Sequence, residues 1–299
     1  MSPKPHGIIT PVVTPFHADE SLDLPRLRSH IDWLLRMEVD GIFVLGTTGE
    51  FYALSDAEKE AVVAEAVGHV AGRVPVYAGT GAESTGEVVR LTRLAEKHGA
   101  SGVSVVAPYF IKPTQAELAD HFRRVAGATS LPVVLYNNPG TCGGLVIDPA
   151  TVEALAAVPN VVGMKDSSGD LQYTLDVIRR TNPATFGVLQ GRDTLILAAL
   201  HFGASGAIPA VSNVIPEICV GIHDAFHRGD HAAALRLQND LAPVRLAVSL
   251  GTSNGAIKEA LTLMGQPCGP NRRPVGPLPP DKLAALKHVL TTAGLLGKK

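Results

Sequence analysis

The sequence predicts an α/β fold, a closed (β/α)8 TIM barrel with a helical C-terminal extension, and three observations support this fold class. Short apolar runs alternate with helix-length amphipathic segments from residue 7 to about residue 210. Eight such runs are present, and most are continuously apolar, as expected for parallel strands buried on both faces. After the eighth run the strand pattern stops, and the rest of the chain follows helical patterns interrupted by one Gly/Pro-rich stretch.

The eight predicted strands occur in regular succession along the first two thirds of the chain. They are Gly7–Val13, Gly41–Leu45, Val74–Ala78, Gly102–Val106, Val133–Tyr136, Val161–Lys165, Thr185–Gln190 and Gly206–Pro209. An open doubly wound sheet is the alternative, but the GxGxxG motif of its dinucleotide-binding version does not follow the first strand. We expect residues 1–213 to form the barrel core, and residues 214–299 to form the last barrel helix and the C-terminal extension, as one structural unit.

Several intervening helices have recognisable starts, since a hydroxyl residue precedes a carboxylate by three positions. These predicted capping boxes are Ser55–Glu58, Ser84–Glu87 and Thr114–Glu117. Apolar spacing agrees with the last of them, because Leu118, Phe122 and Val125 recur at intervals that place them on one helix face. This face is expected to pack on the barrel.

Composition narrows the possible partners and the cellular location. The chain has 299 residues with a formal net charge of -2, so no basic excess indicates nucleic-acid binding. No apolar stretch reaches the length of a membrane span, and the start does not resemble a secretory signal, which predicts a cytoplasmic protein without a membrane partner. The three cysteines, Cys142, Cys219 and Cys268, are widely spaced, which argues against a disulfide framework and a thiolate metal site.

Lys165 is distinctive among the lysines because it ends an apolar predicted strand. In a barrel the carboxyl ends of the strands meet at the active-site face, so we expect its amine in the mouth. A free lysine, with a pKa of about 10.4, is an ammonium at neutral pH, but burial lowers that value. A neutral amine attacks a ketone to form an iminium, which accepts electrons when a neighbouring bond breaks, as in class I aldolases. An ordinary core ion pair with Asp166 is the alternative.

Tyr136 ends the fifth predicted strand, directly before the strand of Lys165. Its phenol is therefore expected near the same cavity, where it can move a proton to or from the reacting oxygen. A tyrosine at a strand end is also often packed for structural reasons with its hydroxyl satisfied. We interpret Tyr136 as catalytic only in combination with Lys165.

The second predicted strand runs into the turn Gly46-Thr47-Thr48-Gly49-Glu50. This turn presents two hydroxyls and several backbone N–H groups beyond a strand terminus, an arrangement that suits a carboxylate. A loop stabilised by its own threonine turns is the structural alternative.

Three motifs taken together, GTTGE at 46–50, YNNP at 136–139 and VGMKDSSGD at 162–170, resemble the dihydrodipicolinate synthase and N-acetylneuraminate lyase family. The segments APYF at 107–110 and GRD at 191–193 also match landmarks of that family, so the resemblance covers nearly the whole chain. It implies a TIM barrel assembled as a homotetramer, with pyruvate bound as a Schiff base to the lysine of the sixth strand. It implies no metal and no organic cofactor.

The resemblance also implies roles for individual residues. By the motifs, Lys165 is the Schiff-base former, Tyr136 the proton-relaying phenol and Thr47 its hydrogen-bonded partner. Thr48 matches a ligand of the pyruvate carboxylate. Two further positions, Gly191 and Ile208, match residues that line the pyruvate pocket.

Two positions depart from the family pattern. Biosynthetic members have an arginine that binds the carboxylate of aspartate semialdehyde, whereas this chain has Thr141, and a neutral hydroxyl does not replace a bidentate cation. The family's Tyr-Tyr pair, whose second ring completes a proton relay across a subunit boundary, is Tyr109-Phe110 here. Either Tyr109 substitutes, or water does, or the proton path differs.

The KDSSGD motif and the GPxxRP-type tail favour the family's aldolases for 4-hydroxy-2-oxoglutarate and 2-keto-3-deoxy sugar acids over its synthases. We hypothesise that Arg192, just past the seventh strand, supplies the positive charge for a substrate carboxylate that Thr141 lacks. A surface ion pair of Arg192 with Asp193 or Glu217 is the alternative.

The leading prediction is therefore a Schiff-base lyase or aldolase that joins pyruvate to an aldehyde or cleaves it from a 2-oxo acid. Three alternatives remain open: dihydrodipicolinate (4-hydroxy-tetrahydrodipicolinate) synthase, a dehydratase of 2-keto-3-deoxy acids, and a non-catalytic barrel that binds keto acids. Condensation with aspartate semialdehyde and feedback binding of lysine distinguish the first, and product analysis for pyruvate distinguishes the second. An iminium adduct excludes the third.

Overall fold

Eight parallel strands form a closed barrel in the computed structural model, which describes residues 4–296. The strands are β1 (Gly7–Pro11), β2 (Gly41–Val44), β3 (Val76–Gly79), β4 (Gly102–Val106), β5 (Val133–Asn137), β6 (Val161–Asp166), β7 (Gly187–Gln190) and β8 (Gly206–Ala207). Each strand pairs with the next, and β1 pairs with β8, with Gly7 opposite Gly206. The β1–β8 pairing confirms the closed barrel and excludes the open sheet.

The predicted strand bounds agree with the structure to within two residues at either end. Two of the two-residue differences occur where an apolar run continues past the last ladder pair, at Val12–Val13 and Ile208–Pro209. These residues are also buried, since the loops at this end of the barrel are covered by other segments. Hydrophobicity alone therefore does not mark where a strand ends.

Helices follow the strands in strict alternation through the barrel and continue after it. They are α1 (Leu24–Arg36), α2 (Asp56–Val70), α3 (Thr85–Lys97), α4 (Gln115–Ala126), α5 (Pro149–Ala156), α6 (Leu171–Arg180), α7 (Ile196–His201), α8 (Pro216–His227), α9 (His231–Ala247), α10 (Ser253–Leu263) and α11 (Pro280–Thr292). Short 3-10 turns occupy Phe51–Ala53, Asp193–Leu195 and Ala210–Asn213. Within residues 4–296, no helix combines the length and apolar character needed to cross a bilayer.

Two of the three predicted capping boxes are complete. Ser55 with Glu58 and Thr114 with Glu117 each show both reciprocal hydrogen bonds. Ser84 accepts a hydrogen bond from the backbone N–H of Glu87, but the Glu87 carboxylate binds Arg90 instead of returning to the cap. The prediction of a box there was wrong because a nearby guanidinium competes for the same carboxylate.

The barrel interior is filled by side chains rather than open. Seven of them form a separate apolar cluster: Ile9, Phe43, Tyr77, Val134, Val162, Leu189 and Ile208. At the carboxyl ends of the strands, Tyr136 on β5 and Lys165 on β6 are partners in the ladder, so both leave the sheet at the same level. The register of these two strands therefore brings the two predicted catalytic side chains together.

The Gly/Pro-rich stretch between α10 and α11 lies against the loop that follows β1. The backbone N–H of Phe16 donates to the carbonyl of Cys268 at 3.1 Å. Gly269 has a φ of 72°, and a Cβ there would stand 1.7 Å from the Phe16 carbonyl oxygen. Only glycine fits this close approach, which attaches the C-terminal region to the catalytic end of the barrel.

Candidate active site

Lys165 lies at the carboxyl end of β6 and is only 5% exposed. Its Nζ is 4.4 Å from the ring centroid of Tyr136 and 5.3 Å from that of Phe43. The amine thus lies beside aromatic side chains at the top of the packed interior, at the end of the barrel where active sites of this fold are found.

Asp166, the residue next to Lys165, is engaged elsewhere. Its carboxylate accepts hydrogen bonds from the Asn137 amide at 2.9 Å, from the N–H and hydroxyl of Ser168 at 3.0 Å, and from the Thr174 hydroxyl at 2.8 Å. Successive residues of a strand point to opposite faces, so Asp166 faces the helices whereas Lys165 faces the interior. The alternative prediction of a core ion pair between Lys165 and Asp166 is therefore wrong.

The Tyr136 hydroxyl is the centre of a hydrogen-bonded cluster. It contacts the side chains of Thr47, Ser167 and Lys165, and the Asn138 amide donates to it at 3.0 Å. Burial raises the pKa of the phenol, but the charge of Lys165 and these hydrogen bonds outweigh burial, so its pKa lies below the usual value of 10.0. A phenol with a lowered pKa, beside an amine, is suited to passing a proton.

The turn after β2 brings Thr47 to this cluster and buries Thr48 to 8% exposure. Two short backbone hydrogen bonds close it, from Gly49 N to Gly46 O at 3.0 Å and from Glu50 N to Thr47 O at 3.2 Å. The turn therefore has the compact, glycine-containing form that the sequence predicted. The turn presents the Thr47 hydroxyl to Tyr136, and the buried Thr48 is the next residue along the chain.

Gly191 and Ile208, the two predicted lining positions, both lie near the ends of their strands. The Gly191 N–H donates to the Asp166 carbonyl at 2.7 Å, and a Cβ at this position would stand 2.1 Å from the Ser167 hydroxyl oxygen. Ile208 is 4% exposed and belongs to the interior cluster that includes Phe43. A side chain at 191 would displace Ser167, which is itself a partner of Tyr136.

Tyr109 and Thr141 line a cavity of about 180 Å³ together with Thr47. The structure therefore brings both of these predicted substrate-binding residues to the mouth of the barrel. Tyr109 is half-buried, and burial together with a hydrogen bond to Glu83 raises its pKa to about 12. Its hydroxyl is thus committed to a carboxylate outside the Tyr136 cluster. This arrangement does not favour Tyr109 as a substitute for the family's relay tyrosine.

Phe110, which by the sequence resemblance matches the family's relay tyrosine, is 90% exposed and has a φ of 75°. Positive φ is uncommon for a bulky residue and costs conformational free energy. The next residue, Ile111, is also strongly exposed. Within one chain this loop therefore projects an apolar pair away from the barrel.

Arg192 follows Gly191 at the end of β7, and its Nε donates to the Ser167 carbonyl at 2.9 Å. Asp193 does not pair with it. The Asp193 carboxylate is 1% exposed and binds Arg245 of α9 at 2.6 Å. The proposed alternative of an Arg192–Asp193 surface pair is therefore wrong, because Asp193 points inward to anchor the C-terminal helices.

Sequence reasoning missed two partners of the Tyr136 hydroxyl, Asn138 and Ser167. Both lie inside motifs that the sequence analysis singled out, YNNP and KDSSGD, so the motifs indicated the right segments without indicating which side chain faces the phenol.

Within residues 4–296, no group of three or more His, Cys, Asp or Glu side chains is arranged to hold a metal ion.

Comparison with known proteins agrees with this geometry. A profile of the dihydrodipicolinate synthetase family matches residues 4–293. The chain belongs to this family. Relatives include the 4-hydroxy-tetrahydrodipicolinate synthase of Methanoculleus marisnigri, 41% identical over 96% of this chain and 99% of the relative, and an uncharacterised DapA-like lyase of Halobacterium salinarum, 39% identical over 97% and 95%.

Solved structures of the family superpose closely. The E. coli K12 prophage protein YagE, determined in complex with pyruvate, is 37% identical with a TM-score of 0.93 over 97% of this chain and 99% of that one. The dihydrodipicolinate synthase of Thermotoga maritima is 34% identical with a TM-score of 0.94 over 97% and 99%. As a family member, the chain is a class I, pyruvate-dependent lyase.

The expected closeness to the sugar-acid and hydroxy-oxoglutarate aldolases is not supported by these matches. The relatives from Methanoculleus marisnigri, Methanosphaerula palustris and Methanococcoides burtonii, at 37–41% identity, are named 4-hydroxy-tetrahydrodipicolinate synthases. The KDSSGD and tail motifs on which the expectation rested are short, and overall similarity outweighs them.

Proposed function

We propose that Lys165 forms a Schiff base with pyruvate and that the enzyme makes or cleaves the carbon–carbon bond between pyruvate C3 and an aldehyde. The amine adds to the C2 carbonyl, and water leaves as the iminium forms. Loss of a proton from C3 yields an enamine, which attacks the aldehyde, and hydrolysis then releases the product and regenerates the amine. The observation that carries the proposal is the buried amine of Lys165 in contact with the Tyr136 phenol.

The surrounding residues have distinct roles in this proposal. Tyr136 moves the proton to and from the C2 oxygen, and Thr47 orients the phenol through their hydrogen bond. Thr48, on the same turn, binds the pyruvate carboxylate together with backbone N–H groups. Gly191 and Ile208 line the pocket, where their small or apolar surfaces leave room for the bound keto acid.

Reduction with borohydride tests the Schiff base directly, because it converts the iminium into a stable amine. Protein incubated with pyruvate and borohydride is expected to gain the mass of one reduced pyruvate adduct, located on Lys165 by peptide mapping. Folded protein without an adduct would overturn the proposal and favour a barrel that only binds keto acids.

For the substrate we propose a 2-keto-3-deoxy sugar acid or a 4-hydroxy-2-oxo acid, which the enzyme cleaves to pyruvate and an aldehyde. The exposed, uncharged Thr141 at the mouth supports this choice, because it offers no bidentate cation to the carboxylate of aspartate semialdehyde. Release of pyruvate from a panel of such acids, followed with lactate dehydrogenase, measures the activity. Loss of water without pyruvate would identify a dehydratase instead.

A second candidate, 4-hydroxy-tetrahydrodipicolinate synthase, is favoured by the 41% identity to an enzyme of that name over almost its whole length. Condensation of pyruvate with aspartate semialdehyde, measured by coupling to a reductase, distinguishes it. An efficiency for this condensation well above that for cleavage of the sugar acids would replace the first choice of partner with this one.

We further propose that the enzyme works in the cytoplasm as a homotetramer. The exposed Phe110 and Ile111 support association, because a strained backbone that presents apolar side chains to water is a poor arrangement for a lone chain. Sedimentation of the wild type is expected to show a tetramer, and Phe110→Asp is expected to yield smaller species. A wild-type monomer at micromolar concentration would contradict this proposal.

A further inference from the structure

Glu50 and Lys258 form an ion pair that is almost completely withdrawn from water. Their side chains are 0% and 2% exposed, and Lys258 Nζ lies 2.6 Å from Glu50 Oε1. Burying two charges costs free energy that the pair recovers only with good geometry and further hydrogen bonds, so such a pair is weak evidence for a purely stabilising role. Glu50 is also the last residue of the turn that contains Thr47 and Thr48.

Donors from the C-terminal region converge on the Glu50 carboxylate. Besides Lys258 on α10, the backbone N–H of Arg272 donates to Oε2 at 3.0 Å. With the Asn271 amide oriented so that its oxygen accepts from Gly255 N at 3.2 Å, its nitrogen donates to Oε1 at 3.1 Å. All three donors belong to residues after 257, so one carboxylate connects the turn at β2 to the helical extension.

The ammonium of Lys258 is equally well held. It also donates to the Pro270 carbonyl at 2.9 Å and lies 4.3 Å from the centroid of the Phe16 ring. Burial lowers the pKa of Lys258, and the charge of Glu50 opposes that effect. The Glu50 carboxylate, the Pro270 carbonyl and the Phe16 ring together fix the position of the Lys258 ammonium. The fixed ammonium in turn holds the Glu50 carboxylate in place.

The backbone of Glu50 connects this ion pair to the Thr47–Thr48 turn of the site. Glu50 is in the left-handed region with φ 54° and ψ 34°, and its N–H donates to the Thr47 carbonyl at 3.2 Å. A positive φ is uncommon for a residue with a side chain. The anchored Glu50 therefore closes, in a less favourable backbone conformation, a turn that is continuous with Thr47 and Thr48.

We propose that Lys258 is a positioning residue for pyruvate: by binding Glu50 it holds the Thr47–Thr48 turn in the geometry that meets the pyruvate carboxylate and the Tyr136 phenol. This inference rests on the function proposed for Lys165. It assigns to the C-terminal extension a part in substrate binding, although Lys258 itself does not contact the reacting atoms.

A separate anchor makes the proposal testable without unfolding the region. The Arg272 guanidinium binds both oxygens of Glu58, the carbonyl of Ala53 at 2.9 Å and the carbonyl of Glu20. These contacts keep the stretch after α10 attached to the loops after β1 and β2 when the Lys258 ammonium is removed. Loss of the ion pair is thus expected to change the position of the Thr47–Thr48 turn more than the stability of the whole chain.

The experiment compares wild type with Lys258→Met, Glu50→Gln and the double variant. For each protein we would measure the pyruvate concentration that gives half-maximal borohydride trapping at Lys165, and the thermal midpoint. The single variants are expected to need about 10–100-fold more pyruvate, because a misplaced carboxylate ligand weakens binding. The double variant is expected to regain thermal stability, since it buries no unpaired charge, but not pyruvate affinity.

Leu286→Ala in α11 is the matched control, because Leu286 is fully buried in the same extension. It is expected to lower the thermal midpoint and leave half-maximal trapping at the wild-type pyruvate concentration. Wild-type affinity in the double variant would overturn the inference and leave the ion pair a structural role only. Should Lys258→Met not fold, the double variant decides alone. A wild type without any adduct would overturn the proposed function and this inference with it.

Discussion

The side of the barrel mouth that holds Lys165 differs sharply from the side formed by the loop after β4 and by Thr141. Lys165 and Tyr136 are each 5% exposed, and the Tyr136 hydroxyl is hydrogen-bonded to Thr47, Ser167 and Lys165, whereas Phe110 is 90% exposed. The first side contains residues of the three motifs by which the sequence resembles the family. The second side contains both departures from it.

This difference separates two aspects of specificity. Buried, mutually hydrogen-bonded groups allow little variation, because leaving one polar partner unsatisfied is costly. Exposed loop positions tolerate substitution and often carry substrate selection. We therefore propose that the buried side supports the pyruvate Schiff base and that the exposed side selects the aldehyde that meets the enamine.

The largest effect is expected from removing the nucleophile. Lys165→Ala is expected to abolish trapping by borohydride and to reduce turnover to background, because no other amine stands beside Tyr136 in the described cluster. Mass spectrometry and the pyruvate-release assay measure the two effects. An adduct that persists in this variant, on another lysine, would refute the assignment of the buried side as the site of chemistry.

Removal of the phenol is expected to cost about 10²–10⁴-fold in kcat, the usual contribution of general acid–base catalysis. Tyr136→Phe keeps the ring that packs against Lys165 and loses only the hydroxyl. Steady-state kinetics on this variant, with circular dichroism to verify folding, provide the measurement. A kcat within a few-fold of wild type would move the proton transfer to another group.

The pH profile reports the same phenol. A group that must be protonated to act as an acid stops acting as pH rises through its pKa, and the pKa of Tyr136 lies below 10.0. Wild-type kcat is therefore expected to fall on the alkaline side below pH 10. Thr47→Val removes a hydrogen bond that lowers this pKa, so the alkaline limb is expected to move to higher pH. An unshifted limb in Thr47→Val would assign it to a different group.

On the exposed side, Thr141→Arg is expected to raise the efficiency of condensation with aspartate semialdehyde by about 10–100-fold, because a charge-assisted hydrogen bond contributes about 1.5–3 kcal/mol. Thr141→Gln has comparable length without charge and is the control. Borohydride trapping of pyruvate is expected to stay unchanged in both. Equal gains in the two variants would show that charge at 141 does not select the partner.

The smallest effect is expected at Arg192. Its Nε already donates to the Ser167 carbonyl, so Arg192→Ala removes both a possible carboxylate ligand and a support for Ser167. We expect KM for a dicarboxylate substrate to rise about 10-fold, the effect of losing one favourable ionic contact of about 1.4 kcal/mol, while trapping of pyruvate changes little. An unchanged KM would remove Arg192 from substrate binding.

Much of the fold was predictable because parallel barrel strands are buried on both faces. Continuous apolar runs such as Gly102–Val106 therefore coincide with strands. The capping box at Ser55 was predictable for the same kind of reason, since both of its hydrogen bonds join residues only three apart. At Ser84 the box is incomplete, because Arg90, three residues after Glu87 on the same helix, binds the Glu87 carboxylate.

The candidate site was predictable to the level of motifs. Lys165 and Tyr136 were singled out because each ends an apolar run and barrel topology brings strand ends together, whereas the role of Thr47 came from the family resemblance. Asn138 and Ser167 were not identified as partners of the phenol, because neither lies on a simple strand pattern and their orientation depends on loop conformation. Glu50 was quoted in a motif, but its partner Lys258 lies more than two hundred residues away and no local pattern connects them.

The sequence by itself determined the barrel, the strand-end positions of the reactive groups and the family to which they belong, because these depend on local periodicity and on short motifs. Tertiary structure alone decided that Asp193 binds Arg245 and that Glu50 is held by the C-terminal extension. Those ion pairs join segments that are distant in the chain. They form only when the C-terminal helices pack on the barrel, and no local sequence pattern encodes that packing.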